Sequence, residues 1–135
     1  MATSPRELLE WASIVLDGDE SGEVCARACA SRAYYSAYHS IAWIGGRLST
    51  APDDRRGLHD QLCWKLQSAP RPPELESFHL KLRGIGYRLQ QQKDVRVKAD
   101  YHLDHDFSEH EAQEAILVAE KVRDEIDEIE ASVSR

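Results

Sequence analysis

Apolar residues recur three and four positions apart along most of the chain, and this spacing restricts the fold more than any other feature of the sequence. It places the apolar side chains of a segment on one face of an α-helix, whereas the strict alternation typical of strands is absent from the sequence. Two segments show the spacing most clearly: Leu75, Phe78, Leu82, Ile85 and Leu89, and then Ala112, Ala115, Ile116, Ala119, Val122, Ile126, Ile129 and Val133. The chain is therefore predicted to be all-α.

Capping signals and helix-breaking residues divide this pattern into separate helices. Ser4 and Glu7 form a capping box around a proline at the first helical position. The predicted helices are one that opens at Ser4, one from about Glu23 to Ile44, a short one from about Arg56 to Leu66, one that follows Pro73 and frays near "QQQKD", and one that begins at Ser108 with Glu111 as its capping partner. We expect a single domain, residues 1–135, folded as an up-down helical bundle of four main helices plus a short connecting helix.

Bulk properties argue against several classes of protein. No apolar run is long enough for a transmembrane helix, and the N-terminus lacks the apolar core of a signal peptide, so we expect a cytoplasmic protein without membrane contact. The three cysteines, Cys25, Cys29 and Cys63, lack the second ligand pair of a zinc site, which favours free thiols in the core. The pattern "HLDHD", His102 to Asp106, is more typical of solvated loop charges than of metal ligands. We predict no metal and no cofactor.

The distribution of charge bears on nucleic-acid binding. The formal net charge of the chain is −7, whereas nucleic-acid-binding domains are commonly basic. One segment is nevertheless rich in cations, which are Lys81, Arg83, Arg88, Lys93, Arg96 and Lys98. The charge therefore argues against a broad nucleic-acid surface and leaves a local basic groove open.

The segment "RVKADYH", Arg96 to His102, concentrates side chains that bind phosphate or transfer protons, and it is predicted to lie in the turn before the last helix. Histidine suits proton transfer near neutral pH, and the planar guanidinium of arginine can hold two phosphate oxygens. Asp100 is predicted to orient Arg96 as its ion-pair partner, and Lys98 can add positive charge to the same pocket. Tyr101 can hydrogen-bond a phosphate or stack on a base.

A second segment, "SRAYYSAYH", Ser31 to His39, lies in the predicted second helix. The favoured interpretation is structural. Arg32 needs a carboxylate or helix-end carbonyls because an unpaired charge on an apolar face is costly, and His39 is a hydrogen-bonded core residue. The functional alternative is that Arg32, Tyr35 and His39 line the same groove as Arg96. The stretch "DDRRGLHD", which contains His59, is interpreted as a solvated surface.

The two segments together, followed by "FSEHEAQEAILVAEKV" at the start of the last helix, carry a resemblance to a known family. The chain resembles the HEPN domain (higher eukaryotes and prokaryotes nucleotide-binding). More narrowly, it resembles the small stand-alone bacterial HEPN proteins that are often encoded beside a minimal nucleotidyltransferase. The likeness extends from the second helix to the last, and it rests on two motifs in the same order on the same elements.

The resemblance implies a helical bundle that forms a homodimer and, in active members, a metal-independent endoribonuclease whose site lies at the dimer interface. Arg96 matches the motif arginine, and His102 completes the form of the motif with the longer gap. Tyr101 matches the tyrosine of a form with a four-residue gap, in which that tyrosine receives a nucleotide from the partner enzyme. One histidine and one arginine per chain form a sparse site, which a two-fold axis would double.

Two hypotheses follow from these observations. In the first, the chain is a toxin-like endoribonuclease of a toxin-antitoxin or defence system, restrained by a nucleotidyltransferase-type antitoxin. Arg96 then stabilises the phosphate of an RNA substrate, His102 transfers protons, and Tyr101 binds RNA or is modified. In the second, the chain is a non-catalytic module that binds a nucleotidyltransferase partner or a nucleotide. The likeness of the two motifs favours the first hypothesis, whereas Val97 directly after Arg96 and the acidic net charge favour the second.

Overall fold

A computed structural model describes residues 3–18, 22–49 and 55–133, and these residues form helices and loops without a strand. The α-helices are α1 (Pro5–Leu16), α2 (Glu23–Gly45), α3 (Leu58–Ser68), α4 (His79–Tyr101) and α5 (Glu109–Val133). A short 3-10 helix, Pro73–Phe78, leads into α4. The prediction of an all-α bundle with four main helices and a shorter connecting helix is confirmed. Over the described ranges, no helix combines the length and the apolar character needed to cross a bilayer.

The predicted capping boxes are present at the first and the last helix. The hydroxyl of Ser4 accepts the amide N–H of Glu7 at 3.2 Å, and the Glu7 carboxylate accepts the amide N–H of Ser4 at 3.3 Å. At the start of α5, the amide of Glu111 donates to the Ser108 hydroxyl at 3.1 Å, and the amide of Ser108 donates to the Glu111 carboxylate at 2.8 Å. These bonds satisfy amide groups that have no partner within the helix.

Helix α2 occupies the centre of the bundle and contacts α1, α3, α4 and α5. Small residues on its buried sides let the neighbouring helices approach closely, and they are Ala26, Ala30, Ala33 and Ala37. Arg32, His39 and Ala42 of the same helix are exposed. Neighbours cover most sides of a central helix, so these exposed residues mark the narrow strip that remains in contact with solvent.

Helices α3 and α4 approach each other at a glycine. A Cβ atom at Gly86 would lie 2.9 Å from the Cβ of Leu66 and 2.9 Å from the Cγ of Gln67. At Gly84, two residues earlier on α4, the nearest atom to such a Cβ is the Nη2 of Arg88 at 4.0 Å. Gly86 therefore permits the close packing of α3 on α4, and Gly84 is not needed for it.

Helix α4 continues beyond the point where it was predicted to fray. Gln92, in the middle of "QQQKD", is 4% exposed, and its side-chain amide donates to the backbone oxygen of Ala115 at 2.9 Å. This contact with α5 stabilises a stretch whose sequence resembles a solvated helix end. The helix ends at Tyr101 instead. The prediction that Arg96 to His102 form a turn is therefore wrong, since all but His102 lie in the last turns of α4.

The thiols are in the core, as predicted. Cys29 and Cys63 are buried and free, and burial raises the pKa of Cys29 to about 12 and that of Cys63 to about 11. Cys25 is half-buried, with its Sγ 3.9 Å from the Sγ of Cys29.

Candidate functional site around Arg96

The C-terminal end of α4 is held by Arg27 of α2, an arginine that is 8% exposed. Its guanidinium donates to four backbone oxygens, those of Lys98 at 3.1 Å, Ala99 at 3.0 Å, His102 at 3.2 Å and His105. The last carbonyls of a helix have no donor within the helix, and the negative end of the helix dipole favours a cation there. Arg27 donates hydrogen bonds to these carbonyls and places a cation at the negative end of the helix dipole. It thereby fixes the end of α4 against α2.

The turn that follows α4 is tied to the same place by Glu23. Its carboxylate accepts the amide N–H of Phe107 at 2.7 Å and the Nη2 of Arg27 at 3.3 Å. The Phe107 amide, with a further contribution from Arg27, holds the pKa of Glu23 below its ordinary value. The ring of Phe107 lies 5.5 Å from the Cζ of Arg27. Residues 102–108 are thereby fixed against the N-terminal part of α2.

Arg96 lies one to two turns before this fixed end, and its side chain is enclosed by aromatic rings. The residue is 8% exposed. Its Cζ atom lies 5.3 Å from the ring centre of Tyr34, 5.6 Å from that of Tyr35 and 5.7 Å from that of Tyr101. These are cation–π distances, and such contacts strengthen as water is removed. The Nε–H of Arg96 is buried and has no acceptor among the residues that the structure describes.

A carboxylate completes the immediate surroundings of Arg96. The Oδ2 of Asp100 lies 3.7 Å from Nη1 of Arg96, one turn away on α4, and it accepts the hydroxyl of Ser31 at 3.1 Å. The predicted ion pair between Asp100 and Arg96 is confirmed. A partly exposed pair of this kind contributes on the order of 0–1 kcal/mol, so its main effect is to orient the guanidinium.

A histidine from α3 joins the same group of rings. The ring centre of His59 lies 4.2 Å from that of Tyr38, 5.5 Å from that of Tyr34 and 6.2 Å from that of Tyr35. Its Nδ1 shares a hydrogen bond with the Tyr34 hydroxyl. The interpretation of His59 as solvated surface is therefore wrong. We refer to Arg96, Tyr34, Tyr35, Asp100, Tyr101 and His59 as the Arg96 cluster.

A signal for His59 was present in the sequence. It precedes Leu62, Cys63 and Leu66 by three, four and seven positions, and these three residues form the buried face of α3. His59 thus belongs to the face that packs on the bundle. The charged residues around it concealed this periodicity.

The electrostatic environment keeps His59 neutral at pH 7. Burial lowers the pKa of His59, and the cations Arg96 and Lys93 act in the same direction, with Asp60 opposing them. Lys93 and Asp60 are themselves an ion pair. Burial also raises the pKa of Tyr34, so its hydroxyl stays protonated.

Arg32 and His39 of α2 contact the Arg96 cluster through the ring of Tyr35. Tyr35 is half-buried and contacts Arg96 on one side. The Cζ of Arg32 lies 5.6 Å from the same ring, and the ring of His39 lies 6.3 Å from it. The expectation that Arg32 and His39 are core residues is wrong, because both are exposed. They flank the cluster at the protein surface instead.

Two residues of "RVKADYH" make their contacts elsewhere. His102 is exposed at the C-cap of α4, and its ring stacks on that of His105 with centres 5.4 Å apart. The Nζ of Lys98 lies 2.5 Å from the Glu111 carboxylate of α5, which lowers the pKa of Glu111. The charge of Lys98 is therefore balanced by α5 and does not add to that of Arg96.

The arrangement brings together a guanidinium that can attract a phosphate, tyrosine rings on which a base can stack, and a neutral imidazole. Tyr101, which is 69% exposed, gives the cluster a solvent-facing edge. Within the described ranges, no three His, Cys, Asp or Glu side chains are grouped closely enough to hold a metal ion. Comparison of the chain with models of protein families, with curated proteins and with solved structures finds no match.

Proposed function

We propose that the chain is a HEPN toxin-like protein, a dimeric and metal-independent endoribonuclease that binds a phosphodiester of RNA at the Arg96 cluster. The observation that carries this proposal is the guanidinium of Arg96, 8% exposed, among three tyrosine rings. A cation in a site with little water attracts a phosphate more strongly than one in solvent does. The rings of Tyr35 and Tyr101 offer surfaces for the neighbouring bases.

Each side chain then has a defined role. Arg96 stabilises the charge on the phosphate oxygens, and Asp100 orients it. His102, which is exposed, transfers protons to or from the ribose oxygens. A single chain supplies one such set, so a two-fold dimer in which both sets face one another doubles the cations and histidines at one RNA strand.

The partner in this proposal is a nucleotidyltransferase-type antitoxin, and its target is Tyr101. The phenol of Tyr101 is 69% exposed and lies beside Arg96, at 5.7 Å from the Cζ atom to the ring centre. Arg96 can attract the phosphate of an incoming nucleotide to this phenol. In this transfer the Tyr101 oxygen would form a bond to the α-phosphorus of a nucleoside triphosphate, with release of pyrophosphate and of the phenol proton. The attached nucleotide would cover the mouth of the Arg96 cluster and thereby exclude RNA.

A second candidate function is a non-catalytic module that binds a nucleotide or a nucleotidyltransferase partner. The enclosure of Arg96 by rings and Asp100 favours it, and so does the contact of His102 with His105. In this case the Arg96 cluster binds phosphate without cleaving a bond.

The two functions are separated by incubating RNA with purified protein in the presence of EDTA. We expect cleavage by the wild type and its loss in Arg96→Gln and His102→Ala. Arg83→Gln is a matched control, since Arg83 is an exposed arginine on the same helix, and it should cleave normally. Binding without cleavage, lost in Arg96→Gln, would establish the second candidate. Wild-type cleavage that neither substitution affects would exclude the assigned site, and sedimentation analysis that finds a monomer would exclude the dimer.

A further inference from the structure

We propose that His59 of α3, in the tautomer with its proton on Nε2, donates a hydrogen bond to the phosphate that Arg96 attracts. This inference rests on the proposed function. It adds to that function a phosphate-binding residue that lies outside both sequence motifs and on a different helix.

Arg96 and His59 contact the same two rings, those of Tyr34 and Tyr35. The Cζ of Arg96 lies 5.3 and 5.6 Å from these ring centres, and the ring centre of His59 lies 5.5 and 6.2 Å from them. The guanidinium and the imidazole therefore lie around the same pair of rings, and the charge of Arg96 acts on the pKa of His59.

The hydrogen bond with Tyr34 fixes the tautomer of His59. Tyr34 is 1% exposed, and Nδ1 of His59 is the partner of its hydroxyl among the residues described. A buried hydroxyl hydrogen without an acceptor is costly, so the Tyr34 O–H donates to Nδ1. Nδ1 is then an acceptor, and the ring proton of neutral His59 must be on Nε2. This leaves one N–H for a ligand.

Groups from every element around His59 contribute to its environment: Tyr34, Tyr35, Tyr38 and His39 from α2, Asp60 from α3, and Lys93 and Arg96 from α4. Burial and the two cations favour the neutral ring, whereas Asp60 opposes them and is paired with Lys93. A neutral donor can sit beside Arg96 without repulsion. It can therefore bind the same phosphate at pH 7.

Arg96 itself has a buried donor without an acceptor among the described residues. Its Nη1 faces Asp100, whereas its buried Nε–H has no acceptor within the described residues. A bound anion would supply an acceptor on the side that Asp100 does not occupy. A donor from α3 adds a hydrogen bond from a second helix, so the phosphate is oriented as well as attracted.

The test uses a uridine dinucleotide with a 2′-O-methyl group, which contains one phosphodiester and cannot be cleaved by its own 2′ oxygen. Its affinity is measured for the wild type, His59→Phe and His59→Gln, with inorganic phosphate as a second ligand. Phenylalanine keeps a ring for stacking but has no donor, whereas glutamine restores an N–H near the position of Nε2. His110→Phe is the control, because His110 is an exposed histidine on α5.

We expect His59→Phe to weaken dinucleotide binding about tenfold or more, the usual loss for one hydrogen bond to a charged group. His59→Gln should stay within about threefold of the wild type, and His110→Phe should be unchanged. In nitrogen NMR spectra, His59 should show the Nε2–H tautomer, and Tyr34→Phe should shift the ring towards a mixture. If His59 only packed against the tyrosine rings, glutamine would not restore dinucleotide binding, and the Nε2–H tautomer would not be required. The same loss with inorganic phosphate would extend the role of His59 to free phosphate.

Three results would overturn the inference: wild-type affinity in folded His59→Phe, an Nδ1–H tautomer, or affinity that rises steeply from pH 8 to pH 6 through His59. The last would mean that the charged ring binds. If Arg96→Gln loses binding while His59→Phe does not, the inference fails and the proposed function stands. If neither change weakens binding, the proposed function fails as well.

Discussion

Replacing Arg27 with methionine removes the guanidinium that holds the end of α4, while a side chain of similar length stays in the core. Four backbone oxygens, at positions 98, 99, 102 and 105, then lose the guanidinium as a donor, although those of positions 98 and 102 each keep a backbone amide donor. Glu23 loses its ion-pair partner at the same time. We expect the end of α4 and the turn after it to separate from α2, which would also loosen Tyr101 beside Arg96.

The size of the effect follows from the burial of these bonds. The bond to Ala99 is buried, whereas those to Lys98, His102 and His105 are partly buried, so water can replace them in part. A hydrogen bond to a charged group contributes about 1.5–3 kcal/mol. The full loss of the buried hydrogen bond and the partial loss of the other three give a destabilisation of about 3 kcal/mol. With a urea slope of about 1.5–2 kcal/mol per molar, the midpoint of unfolding should fall by roughly 1.5–2 M.

Urea unfolding followed by circular dichroism measures this change directly. Arg32→Met is the matched control, because Arg32 is an exposed arginine on the same helix, and it should cost no more than about 0.5 kcal/mol. Arg27→Lys should fall between the two, since one ammonium has three donors where the guanidinium has five. Hydrogen exchange should accelerate at residues 102–108 in Arg27→Met. Equal stability of Arg27→Met and Arg32→Met would refute the reasoning.

Two further predictions concern packing and pH. Gly86→Ala should destabilise the protein by about 1–3 kcal/mol in urea unfolding, because the added Cβ would collide with Leu66. Gly84→Ala should instead stabilise the protein by up to about 1 kcal/mol. Equal effects of the two substitutions would contradict the close contact of α3 and α4. Because the pKa of His59 is lowered in the folded protein, the unfolded chain binds more protons than the folded chain as the pH falls through 6.5. The wild type should therefore lose stability as the pH falls below 6.5. His59→Phe should lose less over the same range, and identical pH profiles of the two proteins would show that His59 titrates normally.

Much of the fold could be predicted from the sequence because apolar spacing and capping residues act locally. The seam from Ala112 to Val133 and the Ser108–Glu111 cap required only the pattern of neighbours along the chain. The continuation of α4 through Gln92 could not be predicted in this way. It depends on a hydrogen bond to α5, and the residues around Gln92 are typical of a solvated end.

The candidate site was only partly predictable for the same reason. The pairing of Arg96 with Asp100 joins residues four positions apart and could be expected from their nearness in the sequence, even though the segment was predicted to be a turn and is helical. The buried arginine of α2 is Arg27 rather than Arg32, and this depends on which side of the helix faces the end of α4. His59 reaches the tyrosine rings because α3 packs on the bundle, a contact between helices that are separate in sequence.

The most direct measurement of the central claim is a crystal structure of the protein with the 2′-O-methylated uridine dinucleotide. We expect its phosphate within hydrogen-bond distance of the Arg96 guanidinium and of Nε2 of His59, with a base against Tyr35 or Tyr101. A dinucleotide bound elsewhere, with Arg96 still enclosed by the tyrosine rings and Asp100, would contradict the account.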